Sequence, residues 1–229
     1  MRTAPGKARR EGLPRLGAVL VVIAHPDDES FGLGAVISTF VDGGTSVAAL
    51  CFTRGGASTL GEVRGDLGEI RRREFAEAAA VLSVAPAELL DYPDGGLESV
   101  PLEELAAHVS QLADETGAEA LLVFDENGVT GHPDHRRATA AALEAARPRG
   151  LTVLAWTIPV DVAGALNDEL GTTFVGRGPD DIEIGLAVDR RRQLRAIARH
   201  ASQSTHNPAL WRRLDLQGDR EGLTRLWGP

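Results

Sequence analysis

Two clusters of imidazole and carboxylate side chains follow apolar segments of the sequence. The first, "AHPDDE" (Ala24–Glu29), ends the apolar run Ala18–Ala24. The second, "DENGVTGHPDHRR" (Asp125–Arg137), lies between the apolar run Ala120–Phe124 and an Ala-rich helical pattern. Both clusters contain the word His-Pro-Asp. Because histidine nitrogen and carboxylate oxygen are common zinc donors, the repeated pattern indicates metal chemistry.

The spacing within the clusters suits a catalytic metal ion. His25 and Asp28 lie three residues apart, so both can face one ion. A third ligand, either His132 or His135, would complete two imidazoles and one carboxylate and leave a coordination position for water, which is typical of a catalytic site. Zinc lowers the pKa of bound water from about 15.7 to about 7, and Asp27 is then spare to act as the general base. The imidazole that is not a ligand could polarise a carbonyl or protonate a leaving amine.

Helix capping is the alternative explanation for carboxylates at the end of a strand. A side-chain oxygen there can accept a hydrogen bond from the first turn of the next helix, and Glu29 or Ser30 could do so here. A second His-Pro-Asp in the matching position favours the metal site. In a supporting role, Glu29 could orient a ligand, and Asp134 could hydrogen bond to one of the ligand histidines.

An α/β fold is predicted to position these clusters. Apolar runs alternate with amphipathic helical patterns, which predicts one α/β domain with a mostly parallel sheet. Ligands bind beyond the carboxyl ends of the strands in such sheets, and both clusters fall at such ends. The predicted strands are Ala18–Ala24, Ser46–Phe52, Glu88–Asp91, Ala120–Phe124, Thr152–Ile158 and Ile182–Val188, and the predicted helices are Phe31–Gly44, Gly68–Leu82, Leu102–Thr116, Pro133–Ala146 and Asp189–Ser202.

Both ends of the chain and one internal segment lack this alternation. We expect residues 1–17 to be a flexible basic tail and residues 18–229 to form a single domain. Val160–Asp181 has no clear period and is predicted to be an irregular lobe or lid. Trp211 and Trp227 lie in a polar C-terminal segment and are expected to pack on the surface or against a partner subunit.

Composition argues against several other classes of protein. The net charge of −9 disfavours a nucleic-acid binder, although the basic runs Arg71–Glu74 and Asp189–Arg195 could be either solvated helix faces or a local patch. No apolar run approaches the roughly 18 residues of a membrane span. The one lysine, Lys7, lies in the predicted tail, which disfavours Schiff-base chemistry and a phosphate-binding loop. The one cysteine, Cys51, cannot form an internal disulfide, and we expect a reducing, cytoplasmic compartment.

Further segments join the two motifs in a family resemblance. "FTRGG" (Phe52–Gly56) and the helix "RRREFAEAAAVLSV", in which Ser83 replaces a usual glycine, are similar to segments of the LmbE-like, or PIG-L, family of zinc-dependent de-N-acetylases. "LDYPDGGL" (Leu90–Leu97) and "AIARHASQ" (Ala196–Gln203) resemble two more. The resemblance covers Ala18–Gln203 and implies a three-layer α/β/α Rossmann-like sandwich.

The resemblance also implies a reaction and a set of roles. Enzymes of this family remove acetyl groups from N-acetylglucosamine conjugates and related amides. By resemblance, His25, Asp28 and His135 would bind the metal. Asp27 would be the general base, and His132 would stabilise the tetrahedral oxyanion and help to protonate the amine. Zn²⁺ is the expected cofactor, with Fe²⁺ as an alternative.

Contacts with substrate are a weaker part of the resemblance. Arg71 and Asp94 align with positions that hold the sugar, but Arg71 could instead be ion-paired within the structure, and Arg72 could take its place after a slip of one residue. His200 is expected to support the fold. Specificity is expected to reside in Val160–Asp181 and in the loop 55–67.

Two competing functions remain open from the sequence. One is another metal-dependent hydrolase, such as a phosphoesterase, although such sites usually hold more carboxylates and two metal ions. The other is a non-catalytic sugar-binding protein with the same fold. The expected partner is a small N-acylated amino-sugar substrate, with neither nucleic acid nor a membrane span, and a homo-oligomer is compatible with the sequence.

Overall fold

The strands of the protein form one mixed sheet. The computed structural model describes residues 10–60 and 65–229. Its strands are β1 (Arg10–Glu11), β2 (Ala18–Ile23), β3 (Ser46–Thr53), β4 (Ala87–Tyr92), β5 (Ala120–Phe124), β6 (Thr152–Thr157), β7 (Ile184–Ala187) and β8 (Arg220–Trp227). Their order is β1-β7-β8-β6-β5-β2-β3-β4. Neighbouring strands are parallel except where β8 pairs with β6 and β7.

Helices connect these strands and cover the sheet. They are α1 (Asp28–Phe31), α2 (Gly34–Asp42), α3 (Leu67–Leu82), α4 (Leu102–Thr116), α5 (Pro133–Ala146), α6 (Val160–Leu170), α7 (Arg191–Ile197), α8 (Ala201–Ser204) and α9 (Pro208–Gln217), with 3₁₀ turns at Leu97–Ser99 and Arg147–Arg149. Among the residues described, no helix has the length and apolar character needed to span a membrane.

Strand β2 is buried on both faces, which explains its continuous apolar sequence. Successive side chains of a strand point to opposite faces of the sheet. Val21 and Ile23 pack into a cluster that includes residues of α2 and α3, whereas Leu20 and Val22 pack into a second cluster with residues of α4 and α5. Helices thus cover both faces, and the predicted three-layer α/β/α sandwich is confirmed.

The order of the central strands brings the two His-Pro-Asp loops together. Strand β2 lies between β3 and β5 and is parallel to both. The chain runs outward from β2 through β3 to β4 and then returns to β5 on the other side of β2. Such a reversal opens a crevice at the carboxyl ends of the two central strands. The loops that follow β2 and β5 therefore meet at this crevice.

The C-terminal segment differs from the prediction of a polar tail. It contains α9 and β8, and β8 is an interior strand of the sheet. The strand was not recognised because it includes a buried carboxylate, Glu221, which accepts hydrogen bonds from Trp156 Nε1 (2.7 Å) and Arg190 Nη1 (2.6 Å). Trp211 and Trp227 are each 43% exposed, as expected for surface positions.

Residues 160–170 are helical, and the prediction of an irregular segment is wrong there. Helix α6 follows Pro159 and buries only Val162, Ala163 and Leu166. The apolar stripe is narrow, and Gly164 lowers helix propensity, so the sequence carries a weak helical signal. Residues 171–181 contain no helix or strand beyond an isolated bridge between Pro159 and Arg177.

Two predicted helices are broken in the structure. The segment 31–44 begins its helix at Gly34, after the separate short helix α1. The segment 189–202 divides into α7 and α8, and His200 stands at the N-terminus of α8. This second break turns His200 inward, and its side chain is fully buried.

Part of the predicted N-terminal tail is joined to the sheet. Residues 1–9 lie outside the described part of the chain. Arg10–Glu11 pair in parallel with β7, and Leu13 and Leu16 pack against the core. Residues 10–17 therefore differ from the predicted flexible tail, because two leucines at half-buried positions attach them to the domain.

Strand β8 should be essential for stability if it belongs to the core. Leu223 is fully buried and pairs with Trp156 on one side and Ile184 on the other. We expect Leu223→Ala to lower the free energy of unfolding by about 2–5 kcal/mol in urea denaturation. Leu194→Ala, at a position 43% exposed on α7, is the control and should change it by less than about 0.5 kcal/mol. Equal effects of the two substitutions would contradict this assignment.

Candidate active site

The loop after β2 has an unusual backbone conformation at Asp27. Its φ of +110° and ψ of −28° lie in the left-handed region, which non-glycine residues seldom adopt. The Asp27 carbonyl oxygen accepts hydrogen bonds from the backbone N–H groups of Ser30 (2.9 Å) and Phe31 (2.7 Å), which start α1. Backbone strain of this kind costs about 1–3 kcal/mol and persists only where the surroundings enforce it.

The loop after β5 is fixed by the start of α5. His132 is the N-cap residue, and its Nδ1 accepts a hydrogen bond from the backbone N–H of Asp134 (3.1 Å). Pro133 occupies the first turn, where its fixed φ suits a helix. Nδ1 of His135 lies 3.1 Å from the carbonyl oxygen of Gly128. A proton on that nitrogen leaves Nε2 of His135 unprotonated and able to bind a cation.

Three ligand atoms converge where the two loops meet. Nε2 of His135 lies 3.1 Å from Oδ1 of Asp28 and 3.3 Å from Nδ1 of His25. Nδ1 of His25 lies 3.8 Å from Oδ2 of Asp28, and all three side chains are buried. Donors about 2.05 Å from a tetrahedral zinc ion lie about 3.3 Å from each other. The three side chains therefore fit one divalent cation.

The two imidazoles stabilise the ionised form of Asp28. Burial by itself would raise the pKa of this carboxyl group, but the neighbouring His135 and His25 lower the pKa well below its usual range. Oδ2 of Asp28 also accepts a hydrogen bond from the backbone N–H of His25 (2.9 Å). Asp28 is therefore held as a carboxylate, the form that binds a cation.

The second nitrogen of His25 faces two carboxylates. Nε2 lies 3.1 Å from Oδ1 of Asp94 and 3.2 Å from Oδ2 of Asp134. Burial opposes protonation of His25, but hydrogen bonds to Asp134 and Asp94 prevail and raise its pKa to about 10. The two carboxylates keep a proton on Nε2, and in the neutral ring this leaves Nδ1 available to a cation, an arrangement that orients histidine ligands in metal sites.

A second set of side chains, His25, His132 and Asp134, is also close enough to hold a cation. The Asp134 carboxylate already accepts hydrogen bonds from the backbone N–H groups of Gly95 (2.7 Å) and Leu97 (3.1 Å). Nδ1 of His132 likewise accepts a backbone hydrogen bond. Because these acceptors are already engaged, we favour the first set as the candidate metal site.

Asp27 lies beside the first set without belonging to it. Its Oδ2 lies 3.1 Å from Nη2 of Arg71. Burial raises the pKa of Asp27 and the Arg71 guanidinium lowers it, with a net rise to about 6. A carboxylate of this basicity can accept a proton near neutral pH.

Arg71 is buried beneath the loops that follow β2 and β3. Its Nη1 donates to the carbonyl oxygen of Gly55 (2.7 Å), and its Nη2 donates to the carbonyl oxygen of Pro26 and pairs with Asp27. A Cβ at Gly55 would lie 2.3 Å from Nη1, and Gly55 has a φ of +64°, so both the contact and the backbone require glycine. Arg71 is thus ion-paired within the structure, and because it also lines the cavity at the site, its contact with a sugar stays a prediction.

His132 is half-buried in the wall of the site. Its ring lies 4.8 Å from that of His25, centroid to centroid. Burial lowers the pKa of His132, and His25 and His135 lower it further. Because Nδ1 accepts the Asp134 N–H, the neutral ring carries its proton on Nε2, where it can be donated to a ligand.

Glu29 and His200 form a buried pair beneath Asp27. Nε2 of His200 lies 2.6 Å from Oε1 of Glu29, and both side chains are fully buried. Burial disfavours the charged imidazole, but Glu29 raises the pKa of His200. The sequence suggested a supporting role for Glu29 and a fold role for His200, but it did not indicate that they are partners 171 residues apart.

A cavity of about 540 Å³ opens at His25, Asp27, Asp28, His132 and His135. Its polar wall includes Ser58, Asp94 and Gln203, and Ser58 Oγ donates to Oε1 of Gln203 (2.6 Å). The edge of Phe124 packs against His135, with 4.7 Å between ring centroids. The apolar wall, which sequence reasoning missed, includes Phe31, Phe124, Trp156, Phe174 and Leu210. Phe124 is the last residue of β5, and Trp156 is the second-last residue of β6. Their position at the carboxyl ends of strands is the sequence signal that could have identified them as cavity residues.

The two segments predicted to carry specificity both contribute to the cavity. Residues 57–60 line one side of it, and Phe174 lines another. The backbone of Phe174 is held by Asn167, whose Nδ2 donates to its carbonyl oxygen (2.9 Å) and whose Oδ1 accepts from its N–H (2.7 Å). Residues 61–64 of the first segment lie outside the described residues.

The family model for GlcNAc-PI de-N-acetylase (PIG-L) matches residues 20–146. This match spans more than half of the chain and contains both His-Pro-Asp loops. The chain therefore belongs to the PIG-L family, and the family predicted from the two motifs is confirmed.

Named relatives of the chain are deacetylases. The 1D-myo-inositol 2-acetamido-2-deoxy-alpha-D-glucopyranoside deacetylase of Mycolicibacterium gilvum is 31% identical over 235 residues, which cover 83% of this chain and 80% of that protein. The protein of the same name from Kineococcus radiotolerans is 31% identical over 193 residues, or 68% of this chain. The chain spans only 53% of the length of this second relative.

A solved structure supports the fold. The N,N'-diacetylchitobiose deacetylase from Pyrococcus horikoshii superimposes with a TM-score of 0.66 and covers 93% of this chain and 85% of its own. The two sequences are 23% identical, so this likeness concerns the architecture of the sheet and its helices.

Two carboxylate substitutions discriminate between the two possible ligand sets. Asp28→Ala should lose the tightly bound metal, because it removes the carboxylate of the favoured set. Asp134→Asn should keep one equivalent, because Asp134 orients His25 instead of binding the ion, with affinity lowered by about 10- to 100-fold. Metal per chain is measured by elemental analysis after dialysis. The assignment is wrong if Asp134→Asn loses the metal and Asp28→Ala retains it.

Proposed function

We propose that this protein is a metal-dependent hydrolase that removes an N-acetyl or other N-acyl group from an amino-sugar conjugate. The observation that carries the proposal is the convergence of His25, Asp28 and His135 on one point, with Asp27 left over beside them. A cation-binding set with a neighbouring free base is what hydrolysis of an amide requires. The names of the relatives indicate the class of substrate.

His25, Asp28 and His135 would hold the metal ion. Zn²⁺ is the proposed ion because two imidazoles and one carboxylate are typical of catalytic zinc, and Fe²⁺ is the alternative. When bound, such an ion lowers the pKa of water to about 7 and polarises a carbonyl group. The acceptors of the second set, the Asp134 carboxylate and Nδ1 of His132, are already hydrogen-bonded to the backbone, which favours one ion over the two ions of a phosphoesterase.

Asp27 is the proposed general base. Asp27 lines the same cavity as the metal set, and its pKa of about 6 lets it accept a proton from the attacking water at neutral pH. The ion pair with Arg71 fixes the carboxylate in place. After attack, Asp27 holds the proton that the leaving amine requires.

His132 is the proposed donor to the oxygen of the attacked carbonyl. Its Nε2–H is the free donor of the ring, since Nδ1 is engaged with the backbone of the following helix. A single donor aimed at a developing oxyanion typically contributes about 3 kcal/mol. The lowered pKa of His132 favours the neutral ring, which donates through the same atom.

Asp94 is the proposed contact for a substrate hydroxyl. It lines the cavity, and its Oδ2 accepts a hydrogen bond from the backbone N–H of Ala57 (2.8 Å). We propose that Arg71 holds the side chain of Asp27 in its conformation. The substrate is proposed to be a small molecule in the cytoplasm, and assembly into a homo-oligomer stays a prediction.

Replacement of the base separates catalysis from metal binding. Asp27→Asn should keep one equivalent of metal, because Asp27 is not a ligand, but lower kcat by about 10²–10⁴-fold. The measurement is acetate release from a panel of N-acetylated amino sugars, together with metal content. Asp91→Asn, at an exposed aspartate paired with Arg54, is the matched control and should be unchanged.

The same assay tests the competing functions. Full activity of Asp27→Asn would refute the base assignment. Two metal ions per chain with phosphate-ester turnover would favour a phosphoesterase, and binding of sugars without any turnover would favour a non-catalytic protein.

Arg71→Lys distinguishes positioning from substrate binding. A lysine ammonium cannot bridge Asp27, Pro26 and Gly55 with the planar geometry of a guanidinium. We expect kcat to fall by about 10-fold or more with KM nearly unchanged. Arg72→Lys, on the exposed face of the same helix, is the control. A rise in KM alone would instead support the sugar-binding role.

A further inference from the structure

Glu29 has an unusual environment for a glutamate, because this residue type is mostly exposed on protein surfaces. Its side chain is fully buried, and Oε1 contacts His200 Nε2 (2.6 Å) and accepts from Ser30 Oγ (2.6 Å). The remaining oxygen, Oε2, accepts a hydrogen bond from the backbone N–H of Asp27 (3.0 Å). One buried carboxylate thus connects His200 to the backbone of the proposed base.

The contact with Asp27 stabilises a conformation that its own backbone disfavours. At a φ of +110°, the peptide N–H of Asp27 points toward Glu29. Arg71 holds the carboxylate end of the same residue through Oδ2. Asp27 is therefore restrained at its side chain by one charged group and at its backbone by another.

His200 belongs to the C-terminal part of the chain, far in sequence from Glu29. It stands where α7 gives way to α8, and α8 is anchored on α3 because Glu74 accepts hydrogen bonds from Ser202 N (2.9 Å) and Ser202 Oγ (2.6 Å). The ring also packs edge-on against Phe31, with 5.8 Å between centroids. Within the described residues, Nδ1 of His200 has no hydrogen-bond partner, so the ring is oriented by the hydrogen bond between its Nε2 and Glu29.

We propose that Glu29 and His200 are positioning residues that hold Asp27 in the left-handed conformation from which it acts as general base. This inference rests on the proposed function. Neither side chain lines the cavity, so neither is expected to touch substrate or the metal ion. Loss of the pair should therefore lower kcat and leave KM nearly unchanged, because it displaces the base without altering the substrate contacts.

Two substitutions of His200 test the pair in zinc-loaded enzyme. His200→Leu keeps a similar volume and removes the donor to Glu29, and it should lower kcat by about 10- to 100-fold with KM within about twofold. His200→Gln retains an amide N–H donor and should restore kcat to within about threefold of the wild type. His108→Leu, at a half-buried histidine that contacts Tyr92 outside the cavity, is the control and should be unchanged.

Hydrogen exchange at the Asp27 amide provides a readout that does not depend on turnover. The N–H of Asp27 should be protected in the wild type and in His200→Gln, and it should exchange at least about 10-fold faster in His200→Leu. Core amides of β2 and β5 should keep their protection in all variants. The metal content should stay at that of the wild type.

The inference is overturned by any of three results. The first is wild-type kcat and unchanged Asp27 protection in His200→Leu. The second is an equal loss of kcat in His200→Leu and His200→Gln. The third is a loss of amide protection throughout the core. Either of these two results would indicate a purely structural role for His200. If the wild type hydrolyses no N-acylated amino sugar, the proposed function fails, and the exchange measurement still decides whether the pair positions Asp27.

Discussion

The structure depends on the placement of β2 and β5 side by side in parallel register. Val19 pairs with Ala120 and Val21 with Leu122, so the two strands end at the same level of the sheet. Each strand is followed directly by a His-Pro-Asp loop. The parallel pairing of these strands brings His25 and His135, which are 110 residues apart in sequence, to within 3.3 Å between Nδ1 and Nε2.

Bringing these loops together buries several charges, and a network of partners makes this tolerable. Buried carboxylates are costly unless they are hydrogen-bonded or paired. Asp28 faces two imidazoles, Asp134 accepts backbone N–H groups from the loop after β4, and Asp27 faces Arg71. The same contacts preorganise the site, because groups already held in position need no rearrangement when charge develops during a reaction.

The C-terminal third of the chain completes the site from outside the family match. Residues 20–146 contain both loops, whereas α8 and α9 lie beyond this range. His200 and Gln203 come from the break before α8 and from α8 itself, and Leu210 and Arg213 of α9 line the cavity. Strand β8 ties this region to the sheet, so changes here can alter the site without altering the metal-binding loops.

The sequence by itself determined the α/β class, most of the parallel strands and the two motifs, because these depend on local periodicity and on short-range spacing. Strand β2 could be predicted because burial on both faces gives it a continuous apolar sequence. The start of α5 could be predicted from Pro133. Only the tertiary structure decided the antiparallel strand β8 and the contact between Glu29 and His200. Both depend on polar side chains finding distant partners, such as Glu221 with Trp156, and a sequence records the residue types without recording which of them meet.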